Sequence, residues 1–249
     1  MVCVLLEQFL ILYFNMNAEE LVKELKGLAN EEQAMVLSRF FKTGKGQYGE
    51  GDIFFGIKVP AIRNVAKNFY GIDLFGIQKL LDSEIHEVRF AGLNILINKF
   101  EKGTTSDKEK IFNFYLKNIK KNINNWDLVD LSCPHIIGCY LFDKDRKVLY
   151  DLAKSSNLWE RRVAMISTFY FIKRNDFKDA LSLSEVLLFD EHDLINKAVG
   201  WMLREVGKRD IELEREFLMR NYMSMPRVAL RYAIEKMTEG ERNFFMGRN

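Results

Sequence analysis

The sequence predicts an all-α protein made of repeated helix pairs, and three observations support this prediction. Helix breakers are scarce, with 3 prolines and 15 glycines among 249 residues. Helical hydrophobic periodicity is nearly continuous from residue 17 onward. A basic residue followed by small or apolar residues recurs about every 35 residues, the length of one helix pair. We therefore expect an α-solenoid of HEAT-like repeats, an α–α superhelix with a concave, basic face.

The N-terminus departs from this pattern. Its apolar run, MVCVLLEQFLILYF, is too short to span a bilayer and contains Glu7 and Gln8. It also lacks the basic residues and the cleavage site of a signal peptide. We expect residues 1–16 to be either an extension from an upstream start codon or an extra apolar helix packed on the domain. Asn17 and Glu20 predict the cap and first turn of the next helix.

The one conspicuous interruption of the helical pattern lies at residues 42–69. Its first part is predicted to be a flexible loop by four glycines, namely Gly44, Gly46, Gly49 and Gly51. Pro60 lies where a helix would begin, in its first turn. Short connections follow, and no long linker marks a second domain. The sequence therefore predicts a single domain over residues 17–249.

Composition and cysteine usage narrow the class of protein. Hydrophobic residues make up 48% and charged residues 29%, which excludes a disordered chain. The formal net charge of +2 neither supports nor excludes a nucleic-acid partner. The cysteines form no CxxC motif, which favours a reducing cytoplasm. Cys133, His135 and Cys139 resemble metal ligands but have no distant partner cluster, so we expect no metal.

The repeated motif places a set of side chains along one surface. Five segments share a register, centred on Arg89, Asp127, Arg162, Lys197 and Arg227. Helical spacing of three or four residues adds neighbours on the same faces. The resulting stripe consists of Arg89, Trp126, Asp130, Arg162, Lys197, Trp201, Arg204, Arg227 and Arg231. Evenly spaced cations match a phosphate backbone, whereas salt bridges to acids such as Glu160 and Glu205 would make the stripe purely structural.

Asp130 does not suit simple binding of a phosphate backbone. It lies four residues after Trp126, on the same helical face. A carboxylate beside phosphates costs affinity, unless it faces a positive charge that develops during a reaction. Alternatively, Asp130 pairs with Arg162 as a structural ion pair. Both interpretations are open at the level of spacing, and tryptophans at helical spacing are often core residues.

A set of motifs then resembles a known family. The segments NWDLVD, LWERRVA and KAVGWMLRE occur in order, preceded by FFGIKVPAIR and followed by PRVALRYAIEKM. Together they resemble the AlkD-type DNA alkylation repair family, DNA glycosylases built of HEAT-like repeats, over about residues 20–240. The resemblance implies that Asp130 is the catalytic carboxylate and that Trp126 and Trp201 flank the damaged nucleotide.

The resemblance also implies the contacts to DNA. Arg162 would hold the backbone near the lesion, or Arg161 if the register is shifted by one residue. Lys197, Arg204 and Arg227 would be supporting phosphate contacts. The expected partner is double-stranded DNA with alkylated bases, bound by a monomer without any membrane association.

The activity implied by the resemblance is base excision repair of cationic purines, of the 3-methyladenine or 7-methylguanine type. A carboxylate would stabilise the oxocarbenium-like sugar while the N-glycosidic bond is hydrolysed, without a base-flipping pocket. This chemistry implies no metal and no cofactor. The N-terminal extension and the elaborate glycine-rich loop around Tyr48 depart from the family pattern. Two other functions stay open, a non-catalytic HEAT-repeat DNA-binding protein and a protein-binding scaffold.

Overall fold

The computed structural model describes residues 18–247, and this part of the chain is helical apart from its connections. A β-bridge joins Ile53 to Ile85. The helices, in chain order, are α1 (18–26), α2 (Glu31–Phe40), α3 (Val59–Asn68), α4 (Leu74–Leu81), α5 (His86–Lys102), α6 (Thr105–Asn118), α7 (Trp126–Cys133), α8 (Cys139–Leu141), α9 (Lys147–Ala153), α10 (Leu158–Ser167), α11 (Phe169–Ile172), α12 (Lys178–Val186), α13 (Asp193–Gly207), α14 (Ile211–Asn221), α15 (Arg227–Ala233) and α16 (Glu239–Met246). The all-α prediction is confirmed.

The chain forms two compact units, which divide between Leu128 and Val129. The core of the first unit contains the fully buried Phe100 and Tyr115, and that of the second contains Phe171 and Phe217. A single domain over residues 17–249 stays a prediction. The two interpretations of residues 1–16, and the cap at Asn17, lie outside the described residues. None of the helices within residues 18–247 is both long and apolar enough to cross a bilayer.

Local sequence explains where the helices begin. Pro60 occupies the first turn of α3, as predicted, because its missing N–H is one that a helix start leaves unbonded anyway. Thr104 and Asp107 form a reciprocal capping box at the start of α6. The side chain of Asn157 accepts hydrogen bonds from the backbone N–H groups of Trp159 and Glu160 and so caps α10.

The glycine-rich connection between α2 and α3 is fastened by a buried carboxylate. Glu87, in the first turn of α5, is 1% exposed. It accepts hydrogen bonds from the backbone N–H groups of Phe55 (3.0 Å), Gly56 (2.8 Å) and Ile57 (3.1 Å). Gly56 has φ +81°, and a Cβ there would overlap the carbonyl of Asn30. The end of this loop is therefore tied to α5.

A repeated hydrogen bond fixes the register of the helix pairs. The fourth residues of α5, α10 and α13 are Arg89, Arg161 and Asn196. Each donates to the backbone carbonyl six residues earlier: Arg89 to Ser83 (2.8 Å), Arg161 to Ser155 (3.0 Å) and Asn196 to Asp190 (3.1 Å). Arg161 is therefore the equivalent of Arg89, so the register predicted through Arg162 and Lys197 is shifted by one residue.

Two glycines allow close helix contacts within the second unit. A Cβ on Gly138 would lie 2.7 Å from the Cβ of Tyr170 and would overlap the carbonyl of Ser167. A Cβ on Gly200 would lie 2.5 Å from the Cβ of Tyr232 and would overlap the carbonyl of Ala229. The two contacts have the same sequence offsets. Gly200 therefore allows the close approach of a neighbouring backbone.

Candidate functional site

The helix α7 carries the predicted aromatic and carboxylate pair, Trp126 and Asp130. It continues into α8 through a π-helical turn, Pro134–Gly138. Pro134 has no N–H and therefore cannot make the α-helical hydrogen bond to the carbonyl four residues earlier, which belongs to Asp130. Single π turns inside α-helices occur frequently at functional sites. The backbone irregularity therefore begins four residues after the predicted catalytic residue.

The structure brings Asp130 and Arg162 together as a bidentate ion pair. Arg162 Nε donates to Asp130 Oδ1 at 2.8 Å, and Nη2 donates to Oδ2 at 2.7 Å. Nη1 donates to the backbone carbonyl of Leu194 at 2.5 Å. Arg162 is 4% exposed, and the Asp130 side chain is 16% exposed. Arg162 would have to release one of these partners before it could hold a phosphate.

Arg161, the alternative backbone-binding arginine, is also engaged within the protein. Its Nε lies 2.6 Å from Asp190 Oδ2, and its Nη1 donates to the backbone carbonyls of Ser155 and Ser156 at 3.0 Å. The side chain is 18% exposed. Each arginine of the LWERRVA motif thus has an aspartate partner.

Trp126 belongs to an aromatic cluster in the first unit. Its ring stacks on Phe41 at 5.2 Å between centroids and 19° between planes, and it meets Phe40 edge-on at 5.9 Å. Phe41 also stacks on Phe54 at 5.1 Å. One face of the half-buried indole is therefore covered, and its orientation is set by α2 and the loop that follows.

A buried charge network lies beneath this aromatic cluster. Asp52 Oδ1 lies 2.5 Å from Arg89 Nη2, and Asp52 Oδ2 lies 3.0 Å from His86 Nδ1. The other ring nitrogen of His86 lies 2.8 Å from Asp127 Oδ2. Asn125 donates to Asp52 Oδ2 at 2.9 Å. The first turn of α7, which contains Trp126, is thereby connected to α5.

The charges of this network balance. Burial alone lowers the pKa of His86, but the carboxylates of Asp127 and Asp52 outweigh it and raise the pKa to about 9. Burial raises the pKa of Asp52, and the neighbouring His86 and Arg89 outweigh this effect and lower it. Near neutral pH two carboxylates therefore face an imidazolium and a guanidinium. Helical spacing could not identify Asp52 and His86, because their contacts span 34 to 41 residues, and it placed Asp127 only in the repeat register.

The predicted residues on α13 have different surroundings. Trp201 is half-buried, packs near the ring of Phe169 at 5.7 Å and donates its indole N–H to Glu205 at 3.2 Å. Arg204 forms an ion pair with Glu235. Lys197 is half-buried and makes no ion pair within the part of the chain that the structure describes.

On α15, the two predicted cations are exposed. Arg227 donates to the backbone carbonyl of Met246 at 2.9 Å. Arg231 has no acidic partner among residues 18–247. The predicted stripe therefore contains three cations that form no ion pair within the described chain, namely Lys197, Arg227 and Arg231. Its other arginines are paired with acids, namely Arg89, Arg162 and Arg204.

The cysteine and histidine residues near α7 are not assembled as ligands. Within residues 18–247, no three His, Cys, Asp or Glu side chains are grouped so that they could hold a metal ion. Cys133 is fully buried, and this burial raises its pKa well above the ordinary thiol value. The thiol of Cys139 donates to Tyr170 Oη at 3.1 Å. His135 is exposed.

Comparison with known proteins adds a family and a fold. A family profile described as DNA alkylation repair enzyme matches residues 21–237. Among solved structures, one from Enterococcus faecalis, described as a predicted DNA alkylation repair enzyme, has a TM-score of 0.65 at 16% identity and covers 85% of this chain and 97% of its own. AlkD2 from Streptococcus mutans has a TM-score of 0.54 at 17% identity and covers 91% of this chain and 99% of its own.

A third structure, smu.31 from Streptococcus mutans UA159, has a TM-score of 0.52 at 16% identity and covers 90% of this chain and 98% of its own. No curated protein matches the chain. The likeness to these solved structures confirms the predicted all-α, helical-repeat fold class. Because the family profile covers most of the sequence, the chain belongs to the DNA alkylation repair enzyme family.

Proposed function

We propose that this protein is a DNA glycosylase that removes cationic alkylated purines from duplex DNA. The substrates would be lesions of the 3-methyladenine and 7-methylguanine type. The proposal rests above all on Asp130, an acid at the family's catalytic position, whose carboxylate is held in one orientation by the bidentate contact of Arg162. A fixed carboxylate can stabilise a positive charge that develops beside it without reorganising.

Cleavage of the N-glycosidic bond needs little assistance from the protein, because the alkylated base already carries a positive charge. An alkylated purine leaves with the electrons of its N-glycosidic bond and so becomes neutral, while positive charge develops on the sugar. Asp130 would stabilise that sugar cation and orient the water that attacks C1′ and loses a proton. The products are the free base and an abasic site. Neutral bases lack this advantage, which would limit the enzyme to cationic lesions.

The other predicted residues receive supporting roles in this proposal. Trp126 and Trp201 would flank the damaged nucleotide with flat apolar faces. Lys197 and Arg227 would contact phosphates, and Arg204 would do so if it left Glu235. For Arg162 the contacts favour a positioning role through Asp130, with phosphate binding as the alternative inferred from the family resemblance.

The deciding experiment measures base release from methylated duplex DNA. We expect wild-type protein in excess to release 3-methyladenine or 7-methylguanine, and Asp130→Asn to slow the release by about 10²- to 10⁴-fold. The variant should still bind DNA, because it removes a negative charge near phosphates. Asp143→Asn is the matched control, since Asp143 is exposed and the change in charge is the same. Intact methylated DNA after prolonged incubation with folded wild type would refute the proposal.

One observation favours a second function, a non-catalytic DNA-binding protein. Both oxygens of Asp130 are engaged by Arg162, as expected for a purely structural ion pair. In that case no base is released by any variant. Asp130→Asn lowers the free energy of unfolding under either function, since it leaves Arg162 without its carboxylate. Base release by the folded wild type is therefore the measurement that distinguishes the two functions.

A further inference from the structure

A cavity of about 480 Å³ lies within the first unit, between the α3–α4 connection, the end of α5 and the start of α6. Its size falls within the range of small-molecule sites, about 300–1,000 Å³. None of the residues proposed above for glycosylase activity lines it. The cavity therefore needs its own explanation.

Five polar side chains that line this cavity are available to a ligand. They are Tyr70, Asn98, Lys99, Lys102 and Lys110. Within residues 18–247, these side chains form no hydrogen bond or ion pair. Lys102 only places its ammonium group 5.7 Å from the centroid of the Tyr70 ring. Three ammonium groups, a phenol and an amide thus offer hydrogen-bond donors on the same concave surface.

The two carboxylates of the cavity, in contrast, already accept hydrogen bonds from helix starts. Asp73 Oδ1 accepts from the backbone N–H of Gly76 at 2.8 Å. Asp107 Oδ2 accepts from the hydroxyl of Thr104 at 2.7 Å and from its backbone N–H at 3.1 Å. These hydrogen bonds from Thr104 lower the pKa of Asp107. Both acids are therefore directed toward the backbone of α4 and α6.

The charge and shape of the cavity select an anion attached to an organic group. Three lysines against two aspartates leave one positive charge in excess. The helices α4 and α6 both begin at the cavity, and the positive ends of their dipoles add to it. Leu74 and Ile111 provide apolar surface between the polar groups. A bare inorganic ion would leave this apolar surface uncovered.

We propose that this cavity binds a phosphate ester, with the lysines around the phosphate and the organic group against Tyr70, Leu74 and Ile111. The phosphate ester could come from a free mononucleotide or from the backbone of a nucleic acid. This site is separate from the proposed glycosylase activity and does not require Asp130. Lys99, Lys102 and Lys110 would supply charge-assisted hydrogen bonds to the phosphate oxygens.

Isothermal titration with AMP, with inorganic phosphate and with a short unmodified duplex tests this proposal. The test variant combines Lys99→Gln, Lys102→Gln and Lys110→Gln. A matched control combines Lys23→Gln, Lys26→Gln and Lys117→Gln, which remove the same charge from exposed positions of α1 and α6 outside the cavity. Circular dichroism establishes that both variants are folded. Asp130→Asn separates this site from the proposed glycosylase activity.

We expect the cavity variant to lose affinity by about tenfold or more, because a single charge-assisted hydrogen bond is worth about that factor. Loss of AMP binding in the cavity variant but not in the control supports a free phosphate ester, and inorganic phosphate should then displace AMP. A loss restricted to duplex binding supports a backbone phosphate. The proposal is overturned if the cavity and control variants bind all three probes equally, or if none of the probes binds the wild type. Asp130→Asn should bind AMP as the wild type does, even if base release fails.

Discussion

At the scale of single residues, Arg162 shows how a cation predicted to bind DNA can instead be bonded to partners inside the protein. Helical spacing in the sequence predicted only that Arg162 would share a surface with Asp130. It did not decide whether Arg162 contacts a phosphate or forms an ion pair. The structure places Nε and Nη2 on Asp130 and Nη1 on the Leu194 carbonyl. Such partners, 32 residues away, cannot be read from helical periodicity, which relates only residues within a few turns.

His86 gives a prediction of pH dependence. Its pKa is raised from 6.5 to about 9 in the folded protein, so the imidazolium stabilises the fold fully below pH 6.5. This contribution, about 3 kcal/mol, is lost as the pH rises through 9. We therefore expect the free energy of unfolding of wild type, relative to His86→Gln, to fall by about that amount between pH 6 and pH 10.

Urea denaturation at intervals across this pH range measures the difference. His135→Gln serves as the control, because His135 is exposed and lies outside the charge network. If the wild-type and His86→Gln curves stay parallel from pH 6 to pH 10, the imidazolium assigned to His86 is wrong.

At the scale of helices, the ion pairs join neighbouring repeats. Arg89 pairs with Asp52, Arg161 with Asp190, Arg162 with Asp130 and Arg204 with Glu235, at separations of 37, 29, 32 and 31 residues. Each separation is close to one helix pair. These four arginines thus form salt bridges between repeats, the alternative to phosphate binding that the sequence left open. The repeat length itself could be predicted from the sequence.

The close contact at Gly200 predicts the effect of a single methyl group. Ala at this position would place its Cβ against the Ala229 carbonyl and the Tyr232 side chain. We expect Gly200→Ala to destabilise the protein by about 1–3 kcal/mol, because overpacking outweighs the gain in helix propensity.

Gly240→Ala is the matched control for this contact, since it lies in α16 and a Cβ there meets no atom within 4 Å. This change should leave the stability equal or raise it by up to about 1 kcal/mol. Thermal unfolding compares the two. An increase in the melting temperature of Gly200→Ala would contradict the close approach of α13 and α15.

At the scale of the whole molecule, composition and repeat period were enough to predict the fold class. Scarce prolines, few glycines and the recurring motif reflect how each helix pair must bury its apolar face on its neighbours. The charge available to DNA could not be predicted in the same way. It depends on which cations the fold neutralises, and the buried acid Asp52 had no recognisable pattern around it in the sequence.

The cations outside ion pairs predict the salt dependence of DNA binding. We expect Arg227→Ala to weaken binding of any duplex and to reduce the slope of log affinity against log salt by about 0.9, the value of one phosphate contact. Arg220→Ala is the control, because Arg220 is also exposed but lies 3.9 Å from Glu185. Titrations by fluorescence anisotropy at several salt concentrations give both slopes. Equal slopes for the two variants would show that Arg227 does not contact the DNA backbone.

The π turn after α7 has a consequence for how the length of this chain can vary. Pro134–Gly138 accommodates an extra residue in one helical turn. Deletion of a single residue there would restore the α-helical repeat and would leave the helix beyond it in nearly the same orientation relative to Asp130, because a π turn contains one residue more than an α turn. Deletion of the exposed His135, for example, would leave Gly138 in its contact with Tyr170. A deletion in a regular α-helical stretch would instead rotate everything beyond it by about 100°, so the π turn is a position at which this helix can lose one residue.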